Sequence, residues 1–212
     1  MEYTIRAVET WYQGHLFRSR LEATWAAFFD LCGWQWEYEP FTLNGWLPDF
    51  ALIGKEKTIL VEVKPVFSFP REVAEKIESV TSSEGVLKAI FGCGIHDYSG
   101  NEFCCQAGYV LSSPDCTDSW GECRYPWEPL GLAPIFSWSE GADRLMERGR
   151  ETERIGLYGF NCGEYDFLSG EWVIPKADKY THSISLDTGK ALWGRAKELT
   201  RYKHKGAEVY AH

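Results

Sequence analysis

Two carboxylates and a lysine stand out in the first third of the chain: Pro48-Asp49 and, after a twelve-residue spacer, Glu62-Val63-Lys64. In an extended strand residues i and i+2 share a face, so Leu60, Glu62 and Lys64 point one way and Ile59, Val61 and Val63 the other. A hairpin with Asp49 at the start of one strand and Glu62 near the end of the next would gather two carboxylates and an ammonium on one side of a sheet. Two hard oxygen donors suit Mg²⁺ (or Mn²⁺), which takes one or two carboxylates, keeps several waters and binds phosphate oxygens. The lysine adds a point charge for a phosphate or for an attacking water. The chemistry this predicts is phosphodiester hydrolysis, in which metal and ammonium stabilise the charge developing on phosphorus. A hairpin that merely faces solvent would need no metal, and Glu22 would then pair with Arg18 four residues earlier.

These groups need elements to hold them. Leu16 to Leu31 reads as a helix, with Leu21, Trp25, Phe28 and Cys32 forming one apolar stripe and Gly33 as its stop. Trp34 to Glu39 alternates as a half-buried strand ended by Pro40, Pro48 to Ile53 is a second strand, and Gly54-Lys-Glu-Lys57 is a turn. Thr58 to Lys64 is a third strand, Arg71 to Val80 a helix behind Pro70, and Val86 to Phe91 a fourth strand. From His96 to Glu140 the chain is rich in Gly, Ser, Pro and Asp, with one strand expected at Gln106 to Leu111. A short helix at Asp143 to Arg150, strands at Ile155 to Phe160 and Glu171 to Ile174, and a last helix from Asp187 (as N-cap) to His204 complete the expectation.

With that order in place, Pro48-Asp49 followed by Glu62-Val63-Lys64 resembles the PD-(D/E)xK signature of the restriction-endonuclease-like nuclease superfamily. The stretch Phe17-Arg-Ser-Arg-Leu-Glu-Ala-Thr-Trp25, with Trp36-Glu-Tyr-Glu-Pro40 behind it, is similar to the opening of bacterial and phage-encoded members. The resemblance covers about residues 12–95. It implies an α/β fold with a restriction-endonuclease-like core (helix, three-strand meander, helix, strand) and a C-terminal elaboration over about 96–212, all in one domain. It implies Asp49 and Glu62 as metal ligands, with the Val63 carbonyl as a third. Lys64 would position or polarise the nucleophilic water, and Glu22 would act as an accessory ligand or orient Lys64. The expected activity is metal-dependent hydrolysis of nucleic-acid phosphodiesters, DNA foremost. The alternative is a catalytically idle nuclease-like fold that binds protein or nucleic acid as a subunit.

Composition limits the partners. With 44% hydrophobic and 25% charged residues the chain is globular, and it contains no apolar run of membrane-spanning length, so no membrane partner is expected. Lys plus Arg is 22 against 31 Asp plus Glu, a net charge of -9, which excludes a binder that coats nucleic acid by charge alone. A local patch is still open to it. Lys190, Lys197, Arg201 and His204 share one face of the last helix, with Lys203 and Lys205 beyond, opposite an apolar face of Leu192, Ala196 and Leu199. That face is the best candidate to grip a nucleic-acid backbone. Arg18, Arg20 and Lys76 are open to a role as phosphate contacts near such a site but read more simply as solvated helix residues, and His96 as a loop histidine after the fourth strand. The seven cysteines are an odd number without a zinc knuckle, and no secretory signal opens the chain, so reduced thiols in a cytoplasmic protein without structural metal are expected. A zinc module built from Cys104, Cys105, Cys116 and Cys123 is the third reading.

Overall fold

Ser19 decides where the first helix begins. Its hydroxyl accepts the Glu22 N–H and donates to the Glu22 carboxylate, a reciprocal cap three residues apart, so helix α1 runs Arg20–Cys32. Gly33, at φ 72°, ends it in the left-handed conformation. The expected start at Leu16 is therefore corrected. Leu16 and Phe17 belong to strand β2 (His15–Phe17), which pairs antiparallel with β1 (Thr10–Tyr12) through a two-residue turn at Gln13 and Gly14, both at positive φ. The computed structural model describes residues 7–80, 85–98, 101–111, 127–134, 155–159, 166–169 and 186–201.

Among the described residues the architecture is mixed α/β, built on one seven-stranded mixed sheet, the β1–β2 hairpin and three helices. Strands β3 (Gln35–Tyr38), β4 (Phe50–Ile53) and β5 (Thr58–Val63) form an antiparallel meander. Helix α2 (Arg71–Glu78) carries the chain across to β6 (Val86–Tyr98), which lies parallel to β5. The antiparallel strands β7 (Asn101–Leu111), β8 (Trp127–Pro134) and β9 (Ile155–Gly159) complete the sheet in sequence order. Strands β6 and β7 extend well past the apolar runs that announce them, so His96 sits in a strand, not in a loop. Strand β8 is absent from the sequence reading because Pro129 and Gly131 are poor strand residues. Leu130 and Leu132 are nonetheless fully buried.

Two apolar layers sandwich this sheet. Phe50, Leu52, Ile59, Val61 and Phe91 face α1, while Ala51, Leu60 and Ile90 face α2. From Glu22 to Phe29 every residue of α1 is buried, because the sheet curls around the helix and helix α3 (Leu186–Arg201) covers the remaining side. Aromatic rings fill the enclosed space: Trp25 packs on Phe28, Phe29, Phe91 and Trp193, and its indole N–H donates to the Gly92 carbonyl at 2.9 Å. Helix α3 starts one residue before Asp187, which lies in its first turn and is not the cap. Its buried face is Leu186, Gly189, Ala196 and Thr200, and Leu199, expected on the apolar face, is exposed. The expected helix at Asp143 to Arg150, the strand at Glu171 to Ile174, Lys203, His204 and Lys205 lie outside the described residues. Among the described residues no helix is long and apolar enough to cross a membrane.

Candidate active site

The β4–β5 register pairs Phe50 with Val61, and one further step sets Asp49 opposite Glu62. The Asp49 carboxylate turns back onto β5, where Oδ2 accepts the Val63 N–H at 2.7 Å. Its other oxygen, Oδ1, accepts Arg18 Nη2 at 2.7 Å, and the same guanidinium reaches Glu39 at 2.9 Å. One strand over, Lys64 Nζ donates to Glu62 Oε1 at 2.6 Å, while the Trp46 indole N–H donates to Glu62 Oε2 at 2.7 Å. Glu22 enters from the first turn of α1, held by the Ser19 hydroxyl and by the Tyr38 hydroxyl at 2.7 Å. Asp49, Glu62, Val63, Lys64 and Glu22 thus form one cluster at the end of the hairpin.

Its electrostatics are those of crowded anions. Asp49 is only 4% exposed. Burial pushes its carboxyl up to about 7, the Glu62 carboxylate adds to the rise and Glu22 contributes less, whereas the Val63 N–H and the Lys64 ammonium pull the other way. A divalent cation would relieve that crowding, and two carboxylates with a backbone carbonyl and water form an acceptable donor set for Mg²⁺. Among the described residues no three His, Cys, Asp or Glu side chains converge on one point, so the fit rests on the Asp49–Glu62 pair. Arg18, 57% exposed at its side chain, is the partner of Asp49 that can most easily leave.

Three of the contributing residues are not part of the expected cluster. Arg18 does not form the surface pair with Glu22 and is not a solvated helix residue; it precedes α1 and binds Asp49 and Glu39 instead. Trp46 reaches Glu62 because Asn44 and Gly45, both at positive φ, turn the chain tightly between Leu43 and Trp46. That Asn-Gly pair is a turn signal readable in the sequence. Tyr38 is placed by the alternation of β3, and its phenol pKa rises to about 12, through burial first and then its contacts with Glu22.

Lys190, Lys197 and Arg201 are exposed on α3, away from this cluster in the chain, and Arg201 pairs with Glu198 at 3.1 Å. His96, in β6, has a buried Nε2 without a hydrogen-bond partner among the described residues, and its ring lies 5.5 Å edge-on from Phe67. Burial lowers its pKa, and the Lys190 charge adds to the effect. Cys32, Cys93 and Cys105 are in no disulfide, while Cys116, Cys123, Cys162 and the Cys104 side chain lie outside the described residues. Comparison of the chain with protein-family models, with curated proteins and with solved structures gives no match.

Proposed function

We propose that this chain is a metal-dependent nuclease with a restriction-endonuclease-like core that hydrolyses DNA phosphodiesters. The observation that carries the reading is the Asp49–Glu62 pair, with a buried carboxyl pushed up to about 7 beside a second carboxylate and a lysine. The order α1, β3–β4–β5, α2, β6 also supports it. Asp49, Glu62 and the Val63 carbonyl would hold Mg²⁺, which supplies a Lewis acid for the phosphoryl oxygen and lowers the pKa of a bound water. Lys64, anchored on Glu62, would hold the attacking water or a non-bridging phosphate oxygen. Arg18 exchanges Asp49 for the incoming phosphate, and Glu22 is fixed beside the pair by Ser19 and Tyr38. Phe67, three residues beyond Lys64 and 74% exposed, offers a ring for base stacking.

The decisive experiment is incubation with single-stranded, double-stranded and branched DNA in Mg²⁺ or Mn²⁺. Asp49→Ala and Glu62→Ala should abolish cleavage and weaken metal binding, and Lys64→Ala should cut the rate by about 10²–10³-fold with metal binding kept. All three variants should remain folded, since crowded like charges cost stability. Cleavage that survives chelation, or survives both carboxylate substitutions, would overturn the assignment. A second reading, an idle nuclease-like fold that binds DNA or a protein partner, is favoured by one feature. Every oxygen of Asp49 and Glu62 already has a donor within the chain. Binding of DNA without turnover in either metal is its signature.

A further inference from the structure

The first turn of α1 and the last turn of α3 enclose a groove of about 310 Å³, lined by Arg20, Thr24, Lys197, Glu198 and Arg201. Behind it the Thr24 and Thr200 hydroxyls lie 3.1 Å apart and donate to the Arg20 and Ala196 carbonyls of their own helices, which ties α1 to α3. The walls of the groove carry three cations from two separate elements in a chain whose net charge is -9. Among the lining residues Glu198 opposes them, paired with Arg201 at 3.1 Å with both side chains more than 60% exposed. Lys190 is not part of the lining and stands about 10 Å along the helix from Lys197. In its place the fold supplies Arg20, a residue of the other helix.

We propose that this groove is a backbone-phosphate subsite, in which Arg20, Lys197 and Arg201 hold a nucleic-acid strand that continues around the start of α1 to Asp49 and Glu62. The inference rests on the nuclease reading for the second half of that statement and on the groove alone for the first. Arg20 and Glu22 are two residues apart in the first turn of α1 and point about 200° from each other, so a strand held in the groove reaches Asp49 by passing around the N-terminal end of that helix. Three positive side chains, with no aromatic residue in the lining, suit phosphate oxygens rather than stacked bases. The strand's sequence is therefore not read here, and every phosphate in the run is an equivalent ligand.

The test is binding of a fluorescent oligothymidylate in EDTA, measured against salt, so that cleavage plays no part. Each cation that neutralises a single-strand phosphate contributes about 0.7 to the slope of log K against log salt. Arg20→Ala should weaken binding and flatten the slope by about 0.7, and Arg20→Ala with Lys197→Ala and Arg201→Ala by about 2. Glu198→Gln should tighten binding by about twofold to fivefold, an effect opposite in sign to that of damage to the fold. Lys55→Ala, in the turn at the far end of β4 and β5, should change nothing. Inorganic phosphate at equal phosphate concentration should not displace the strand; displacement would mark the groove as a site for a free anion and overturn the proposal. An unchanged slope in the triple variant would overturn it too. A flattened slope in a protein that cuts nothing would instead leave the groove standing and remove the nuclease reading.

Discussion

Asp49 is the residue on which stability and chemistry meet. An aspartate near 3.8 in the unfolded chain titrates at about 7 in the folded one, so the folded state holds the proton more tightly. Its contribution to stability is then complete below about pH 4 and is lost as pH rises through about 7. The metal-free protein should show a melting temperature that declines between about pH 4 and 7, a decline that Asp49→Asn flattens. Added Mg²⁺ at pH 8 should recover the loss, because a cation bound only to the folded state stabilises it by mass action. A melting temperature that climbs over this range, or one that declines identically in Asp49→Asn, contradicts the picture. The position of Arg18 follows from the same electrostatics: in the metal-free state its guanidinium is the cation beside Oδ1.

At the scale of elements, α3 docks through a glycine. A Cβ on Gly189 would collide with Cys105 Sγ and approach Ile95 Cγ2 to 3.0 Å, so the helix lies on β6 and β7 only because that position has no side chain. Gly189→Ala would gain about 1 kcal/mol of helix propensity and lose about 1–3 kcal/mol to overpacking against a buried thiol. Lowered stability in urea is the expected balance, with weakened DNA binding, since the groove needs α3 seated on α1. Higher stability in that variant would mean the contact is looser than described. Helix α2 is held differently. Buried Lys88 of β6 donates to the carbonyls of Ile77, Glu78 and Val80, which closes the C-terminal end of that helix with a positive charge. Burial lowers the pKa of that lysine, with Glu78 opposing.

Across the whole molecule, the sheet is an open one whose two edge strands nearly meet. The Trp34 indole N–H, just before β3, donates to the Ile155 carbonyl of β9 at 2.7 Å. The segment 166–169 bridges the same gap: Phe167 N–H donates to Leu157, and Lys55 N–H donates to Leu168. Asp166 organises it, with one oxygen accepting the Leu157 N–H and the other the Ser169 N–H, both at 2.7 Å. Asp166→Ala leaves a buried N–H without its acceptor and should cost about 3 kcal/mol, read as a lower denaturant midpoint. Trp34 fluorescence should respond first, because its ring packs at this seam. A midpoint unchanged by Asp166→Ala would show that the curl is held by the aromatic core alone.

How much of this was readable from the chain varies with how local the cause is. The meander, α2 and the start of β6 follow from apolar alternation and from Pro and Gly punctuation, which act within a few residues. The spacing of Asp49, Glu62 and Lys64 follows from the two-residue period of a strand plus a short turn, so their meeting at one hairpin end was open to derivation. Ser19 with Glu22, and Asn44 with Gly45, were equally local signals for the true helix start and for the turn that delivers Trp46. The rest was decided only in three dimensions. Strand β8, with Pro129 inside it, exists because two formed strands flank it and bury its leucines. Arg18 finds Asp49 across 31 residues, and Arg20 meets Lys197 and Arg201 across two helices. No periodicity encodes such meetings. They arise when a curled sheet closes on α1 and leaves α3 a single side on which to pack.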